Sequence, residues 1–186
     1  LQKNDRSIIL KSRQLGISTL SAGISLWMML FQKDKAILVV ATKQDTAKNL
    51  VTKVKFMYDN LPSWLQIGFV ENNKLALRLK NGSQIKAVSA AGDAGRSEAI
   101  SLLIIDEAAF IETNKIDEIW GSSQQTLSTG GKAIVLSTPN GTGNFFHKMW
   151  TKAEEGTNGF VPIKLHWSVH PERNQEWRDK QDDELG

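Results

Sequence analysis

The chain has 186 residues, 40% hydrophobic and 23% charged, which suits one globular domain with a sizeable core. It contains no cysteine, which excludes disulfides, cysteine-ligated zinc and thiol catalysis, while a net charge of +3 permits phosphate or DNA contacts without arguing for them. No apolar run approaches the roughly 18 residues that cross a bilayer, so no membrane partner is expected.

In chain order, Ser7 to Leu10 reads as a first strand, followed by a polar loop and a helix from about Ser18 to Gln32. Ala36 to Ala41 reads as a second strand. Behind it, Ala47, Leu50, Val51, Val54 and Met57 recur at helical spacing between Gln44 and Asn60. Residues 74–80 and 83–88 alternate around Asn81-Gly82, the pattern of an antiparallel hairpin. Leu102 to Ile105 and Ala133 to Leu136 are further apolar strands, followed by helices over about Lys115 to Leu127 and Asn144 to Glu154. Phe160 to Leu165 is a fifth run, and the polar stretch from Glu172 to Gly186 reads as a surface helix or the start of a linker. Continuous apolar runs predict strands buried on both faces, and their alternation with helices predicts a mostly parallel sheet flanked by helices.

The first chemical motif joins the first strand to the first helix: Lys11-Ser12-Arg13-Gln14-Leu15-Gly16-Ile17-Ser18-Thr19. A strand, a tight loop and a helix N-terminus can cradle phosphates with backbone N–H groups and the helix dipole. The usual spelling is G-x-x-x-x-G-K-[ST]. Gly16 and Ser18 hold the second glycine and hydroxyl positions, whereas Ile17 stands where lysine is usual and Lys11 where the first glycine is usual. Lys11, with a stem long enough to reach across the loop, and Arg13, within it, are the two candidate phosphate cations. An ordinary βα turn bearing surface charges has the same spelling.

The second motif is the apolar strand ending in Asp106-Glu107. Parallel sheets bind ligands at the C-terminal ends of their strands. There Asp106 can hold magnesium, partly through water and together with Ser18. Glu107 can orient and deprotonate an attacking water. Solvated acids at a strand end are the plainer alternative. Ser137-Thr138-Pro139, at the next strand end, can sense a γ-phosphate or simply cap a turn. Arg96, in the glycine-containing segment 92–97, is a candidate phosphate or DNA contact or a solvated side chain. His147, His166 and His170 lack a convincing metal-ligand spacing.

Together these segments resemble the N-terminal ATPase domain of the large terminase subunit of tailed bacteriophages. The resemblance rests on Ser12-Arg13-Gln14-Leu15-Gly16 with Ser18-Thr19, Leu103 to Phe110, Ser137 to Gly141, the Asn81-Gly82-Ser83 turn, Gly95-Arg96-Ser97 and Trp167 to Arg173. It implies a P-loop NTPase fold of the additional-strand (ASCE, RecA-like) type. It implies that Gly16, Ser18 and Thr19 bind phosphate, that Asp106 serves magnesium, and that Glu107 is the catalytic glutamate. Ser137, Thr138 and Pro139 match a segment coupling hydrolysis to movement, and Arg13 matches an arginine that in some members acts in cis. Ile17 departs from the lysine of many members; others place lysine at the start of the loop, as Lys11 does.

The implied function is hydrolysis of ATP with magnesium, driving double-stranded viral DNA into a procapsid in the host cytoplasm. The implied partners are the portal protein, the small terminase subunit and further copies in a ring, expected to be a pentamer and a monomer when isolated. Residues 1–171 are expected to form the motor domain and 172–186 to lead towards a linker. An adenine-contacting segment is expected upstream of Leu1, which is not an initiator methionine, and a nuclease domain downstream. A chain lacking them is expected to be a weak ATPase. Another P-loop DNA translocase or helicase, or a nucleotide-binding module with little catalysis, fits the same motifs.

Overall fold

Successive side chains along the central strands point to opposite faces of the sheet, and that alternation divides the core in two. In the computed structural model, which describes residues 4–90, 99–127 and 130–185, eight strands form one sheet in the order β3-β4-β5-β2-β6-β7-β1-β8. These are β1 (Arg6–Lys11), β2 (Ala36–Ala41), β3 (Phe69–Asn72), β4 (Ala76–Leu79), β5 (Gln84–Ser89), β6 (Leu102–Asp106), β7 (Lys132–Ser137) and β8 (Val161–Leu165). Ile8, Leu103, Ile105, Ala133 and Val135 face one helical layer, α3 (Thr113–Leu127) and α4 (Phe145–Glu154). Their sequence neighbours Ile9, Leu102, Ile104, Ile134 and Leu136 face α1 (Ile17–Phe31) and α2 (Gln44–Asp59). A strand sandwiched in this way buries both sets of side chains, which is why these runs are largely apolar and do not alternate in sequence. α5 (Gln175–Leu185) follows β8.

The six strands from β5 to β8 in sheet order are mutually parallel, while β4 pairs antiparallel with β5 and β3 antiparallel with β4. β7 lies between β1 and β6, with Leu10 opposite Ser137 and Asp106 opposite Leu136. This inserted strand is the additional-strand arrangement that the resemblance implies, so the P-loop NTPase fold class holds.

Three details differ from the expectation. The second arm of the hairpin, β5, pairs parallel with β2 and so belongs to the main sheet. β3 is an extra antiparallel edge strand whose Phe-Val-Glu-Asn sequence is half exposed and carries no strong strand signal. β8 is an edge strand, largely exposed, not a strand buried on both faces; Pro162, lacking an N–H, suits an edge.

The Asn81-Gly82 turn has a second task. Asn81 Nδ2 donates to the carbonyls of Met29 (2.8 Å) and Gln32 (3.2 Å), and Ser83 Oγ donates to Gln32 O (2.9 Å). These are carbonyls at the end of α1 that no helical N–H can reach. Gly82 has φ +85°, and a Cβ there would collide with Asp34 Oδ1, so both the turn and the close approach require glycine. Asn81→Ala is expected to cost about 1–3 kcal/mol, the penalty for leaving such carbonyls unpaired. A lower urea midpoint checks this.

Candidate nucleotide-binding site

Parallel strands that enter the sheet from one side deliver their C-terminal residues to one edge. Here β1 delivers Lys11, β6 delivers Asp106 with Glu107 just beyond, and β7 delivers Ser137 with Thr138 just beyond. Lys11 and Glu107 are 96 positions apart in sequence, yet Nζ and Oε1 are 2.8 Å apart. Ser18 Oγ, in the first turn of α1, donates to Asp106 Oδ2 at 3.0 Å across 88 positions.

The loop between β1 and α1 is held at its start by Ser12 N–H donating to Leu165 O at 3.0 Å. Gln14 (φ +60°) and Gly16 (φ +74°) turn it into the helix. Gly16 is the N-cap of α1 and no side chain caps the helix, whose first turn also lacks acidic residues. Amides left uncapped beside a positive dipole end suit an anion. Ile17, in the usual lysine position, is half-buried and packs against the core on the α1–α2 side. It is a packing residue, so a cation for this loop would have to come from elsewhere. Arg13, Gln14 and Thr19 are exposed, and Ser12, Leu15 and Ser18 are half-buried. Arg96 lies outside the described residues.

Lys11 is buried, and its ammonium lies within the site, whereas the side chain of Arg13 lies at the surface. Glu107 has φ +53°, an uncommon conformation for a residue with a Cβ, and one that marks stored strain at a site. Its Oε2 accepts from Thr138 N (3.2 Å) and Thr138 Oγ1 (3.2 Å), with Ser137 Oγ at 3.4 Å. Burial alone would raise the Glu107 pKa. The hydrogen bond and charge of Lys11, with the two donors of Thr138, outweigh it and hold the carboxyl below its usual range.

Asp106 goes the other way. Burial pushes its pKa up, and Ser18 and Lys11 offset this only in part. Its Oδ1 is buried and has no hydrogen-bond partner among the described residues. A buried carboxylate oxygen without a donor, beside a serine hydroxyl, is the all-oxygen chemistry that magnesium takes. The residues present therefore fit that ion, and among the described residues no group of three His, Asp or Glu offers another metal site. Because Asp106 binds its proton more tightly when folded than unfolded, its charged form costs stability above the raised pKa. That cost fades as pH falls into the ordinary carboxylate range. Asp106→Asn is thus expected to melt higher than the parent at neutral pH, the gap closing on acidification. Melting curves across pH check it.

Pro139 is exposed and follows Thr138 on a cleft of about 360 Å³ that Lys11, Ser12, Arg13 and Trp167 also line. Two residues to which the motifs gave no role also hold the site together. Asn140 Nδ2 donates to Ala109 O at 3.0 Å, tying the exit of β7 to the turn after Glu107. Arg173 Nη1 donates to Arg13 O at 3.0 Å. Asn140 and Arg173 lie inside the recognisable segments, but only tertiary contact reveals what they touch.

Residues 8–184 match the family model described as terminase large subunit, T4likevirus-type, N-terminal. The structure resembles the Thermus phage P74-26 large terminase ATPase domain, with a TM-score of 0.74 and 23% identity over 96% of this chain and 82% of that one. It resembles the HK97 bacteriophage large terminase, with a TM-score of 0.70 and 18% identity, over 95% of this chain but 38% of that one. It also resembles the large terminase of a thermophilic bacteriophage in complex with ATP-gamma-S, with a TM-score of 0.71 and 11% identity, over 97% of this chain and 44% of that one. At such identities the likenesses show the fold, and the chain spans under half the length of the latter two. The family match, covering almost every residue and every motif at the sheet edge, makes this chain a member of the terminase large subunit family, corresponding to its N-terminal domain.

Proposed function

We propose that the chain is the ATP-hydrolysing motor domain of a DNA-packaging enzyme, with the sheet edge as its active site. One observation carries this reading: a phosphate-type loop, the buried Lys11, the Ser18–Asp106 pair and the Lys11–Glu107–Thr138 network meet at a single strand edge. The loop amides and Lys11 bind and orient the triphosphate, and Arg13 adds charge from the surface side. Ser18 and Asp106 hold magnesium, which when bound supplies charge neutralisation at the phosphates. Lys11 cannot serve the carboxylate of Glu107 and a phosphate fully at one time, so ATP competes for the ammonium. Glu107 then accepts a proton from water as the water oxygen attacks the γ-phosphorus and ADP departs. Ser137, Thr138 and Pro139, hydrogen-bonded to Glu107 through Thr138, couple this step to movement.

In this reading residues 1–171 form the motor unit and 172–186 lead towards the rest of a longer protein. That protein works as a ring at the procapsid portal in the host cytoplasm, with the small subunit and double-stranded DNA as partners. A packaging reaction with the full-length protein, procapsids and DNA tests it. Nuclease-protected DNA is expected to accumulate only with ATP and magnesium. Protection without ATP would contradict the motor role.

A further inference from the structure

We propose that Arg173 is a positioning residue for the phosphate loop, holding it in its nucleotide-ready shape from the opposite end of the chain. The proposal rests on the ATPase reading above. Across 160 and 159 positions, its guanidinium donates through Nη1 to Arg13 O at 3.0 Å and through Nη2 to Gln14 Oε1 at 3.3 Å. The two acceptors belong to consecutive loop residues, and Gln14 is in the left-handed region at φ +60°. That region is uncommon for a residue with a Cβ. The planar fork of arginine can grip two acceptors at once, which a lysine ammonium on a flexible stem does less well.

Arg173 is itself held in place. Its guanidinium lies over the Trp177 ring, 4.6 Å from the centroid, and Trp177 packs against Trp167 at 5.8 Å. Trp167 follows closely on Leu165, whose carbonyl accepts the Ser12 N–H. One C-terminal segment therefore grips the loop twice, at Ser12 and at Arg13–Gln14. The guanidinium's hydrogen bonds go to Arg13 and Gln14 and not to Lys11, Ser18 or Asp106, so Arg173 acts through the loop. Its effect belongs to the fraction of molecules whose loop is ready to receive ATP. Apparent affinity falls in proportion to that fraction, while turnover of the bound complex does not.

The test uses ATP titration, steady-state hydrolysis and hydrogen exchange on the wild type, Arg173→Ala, Arg173→Lys and Trp177→Ala. Arg173→Ala is expected to raise Kd and KM for ATP about tenfold, with kcat at saturation within about twofold, if one molecule in ten then holds a ready loop. Arg173→Lys, which keeps the charge without the fork, recovers only part of the loss, and Trp177→Ala shifts Kd in the same direction. Without nucleotide, amides of residues 12–16 exchange faster in Arg173→Ala while those of β1 do not, a readout that survives even if turnover is slow. Wild-type Kd and exchange in Arg173→Ala would overturn the proposal. So would a fall in kcat at unchanged KM, or complete rescue by lysine, which would make the effect one of charge alone. A wild-type protein that fails to bind ATP would overturn the ATPase reading as well, which separates the two failures.

Discussion

Glu107→Gln is expected to lower kcat for ATP hydrolysis by about 10²–10⁴-fold, the usual contribution of a positioned general base, with Kd for ATP within about threefold of wild type. The amide keeps the shape of the side chain, and its oxygen can still accept from Lys11 or Thr138, so the strand edge survives. What it cannot do is take a proton from water. Affinity has no reason to fall, because the substitution removes the negative charge that now competes with phosphate for Lys11 at 2.8 Å. Single-turnover phosphate release beside an equilibrium titration separates the two quantities. Wild-type turnover in this variant would remove Glu107 from the mechanism.

Lys11→Ala is expected to do the reverse, raising Kd for ATP by about 10²-fold, or about 2.7 kcal/mol. A triphosphate needs a full cation besides loop amides and a dipole end. Ile17 packs into the core and cannot supply one. Arg13 lies exposed on the loop, so Arg13→Ala is expected mainly to lower turnover, while Ile17→Lys would exchange a packing residue for a second ammonium and gain little. Lys11→Ala has a second signature. Glu107 titrates below its usual range chiefly because Lys11 overcomes the effect of burial. A depressed carboxyl contributes stability above its unfolded pKa and loses it as pH falls through the folded value. The variant is therefore expected to be less stable than wild type at neutral pH, the difference vanishing in acid. If Lys11→Ala binds ATP normally and Arg13→Ala does not, the two cations are reversed.

Much of this architecture is legible in the sequence because burial on both sheet faces forces continuous apolar runs: β1, β2, β6 and β7 read directly. α2 reads from its spacing, and the loop and acidic strand end read from motif. Legibility fails where neighbours decide. Val161 to Leu165 reads as a strand but among the described residues has a strand on one side only, and Pro162 and Lys164 are the local hints of that. Phe69 to Asn72 becomes a strand because β4 offers an edge to pair with. At the site, the motifs located Lys11, Ser18, Asp106, Glu107 and Thr138 as separate candidates. Contacts made across 96 and 88 positions cannot be read along a chain. Ile17 reads in sequence as a missing lysine, and its packing against the core appears only in three dimensions.

Phosphate release from ATP by the purified wild-type protein, followed with and without a magnesium chelator over a range of protein concentrations, decides whether this sheet edge hydrolyses ATP. The expected result is ATP binding with slow cleavage that stops when magnesium is removed and rises per subunit with protein concentration, as neighbouring copies complete each site. Bound ATP that is never cleaved at any concentration, or cleavage indifferent to magnesium, would contradict it.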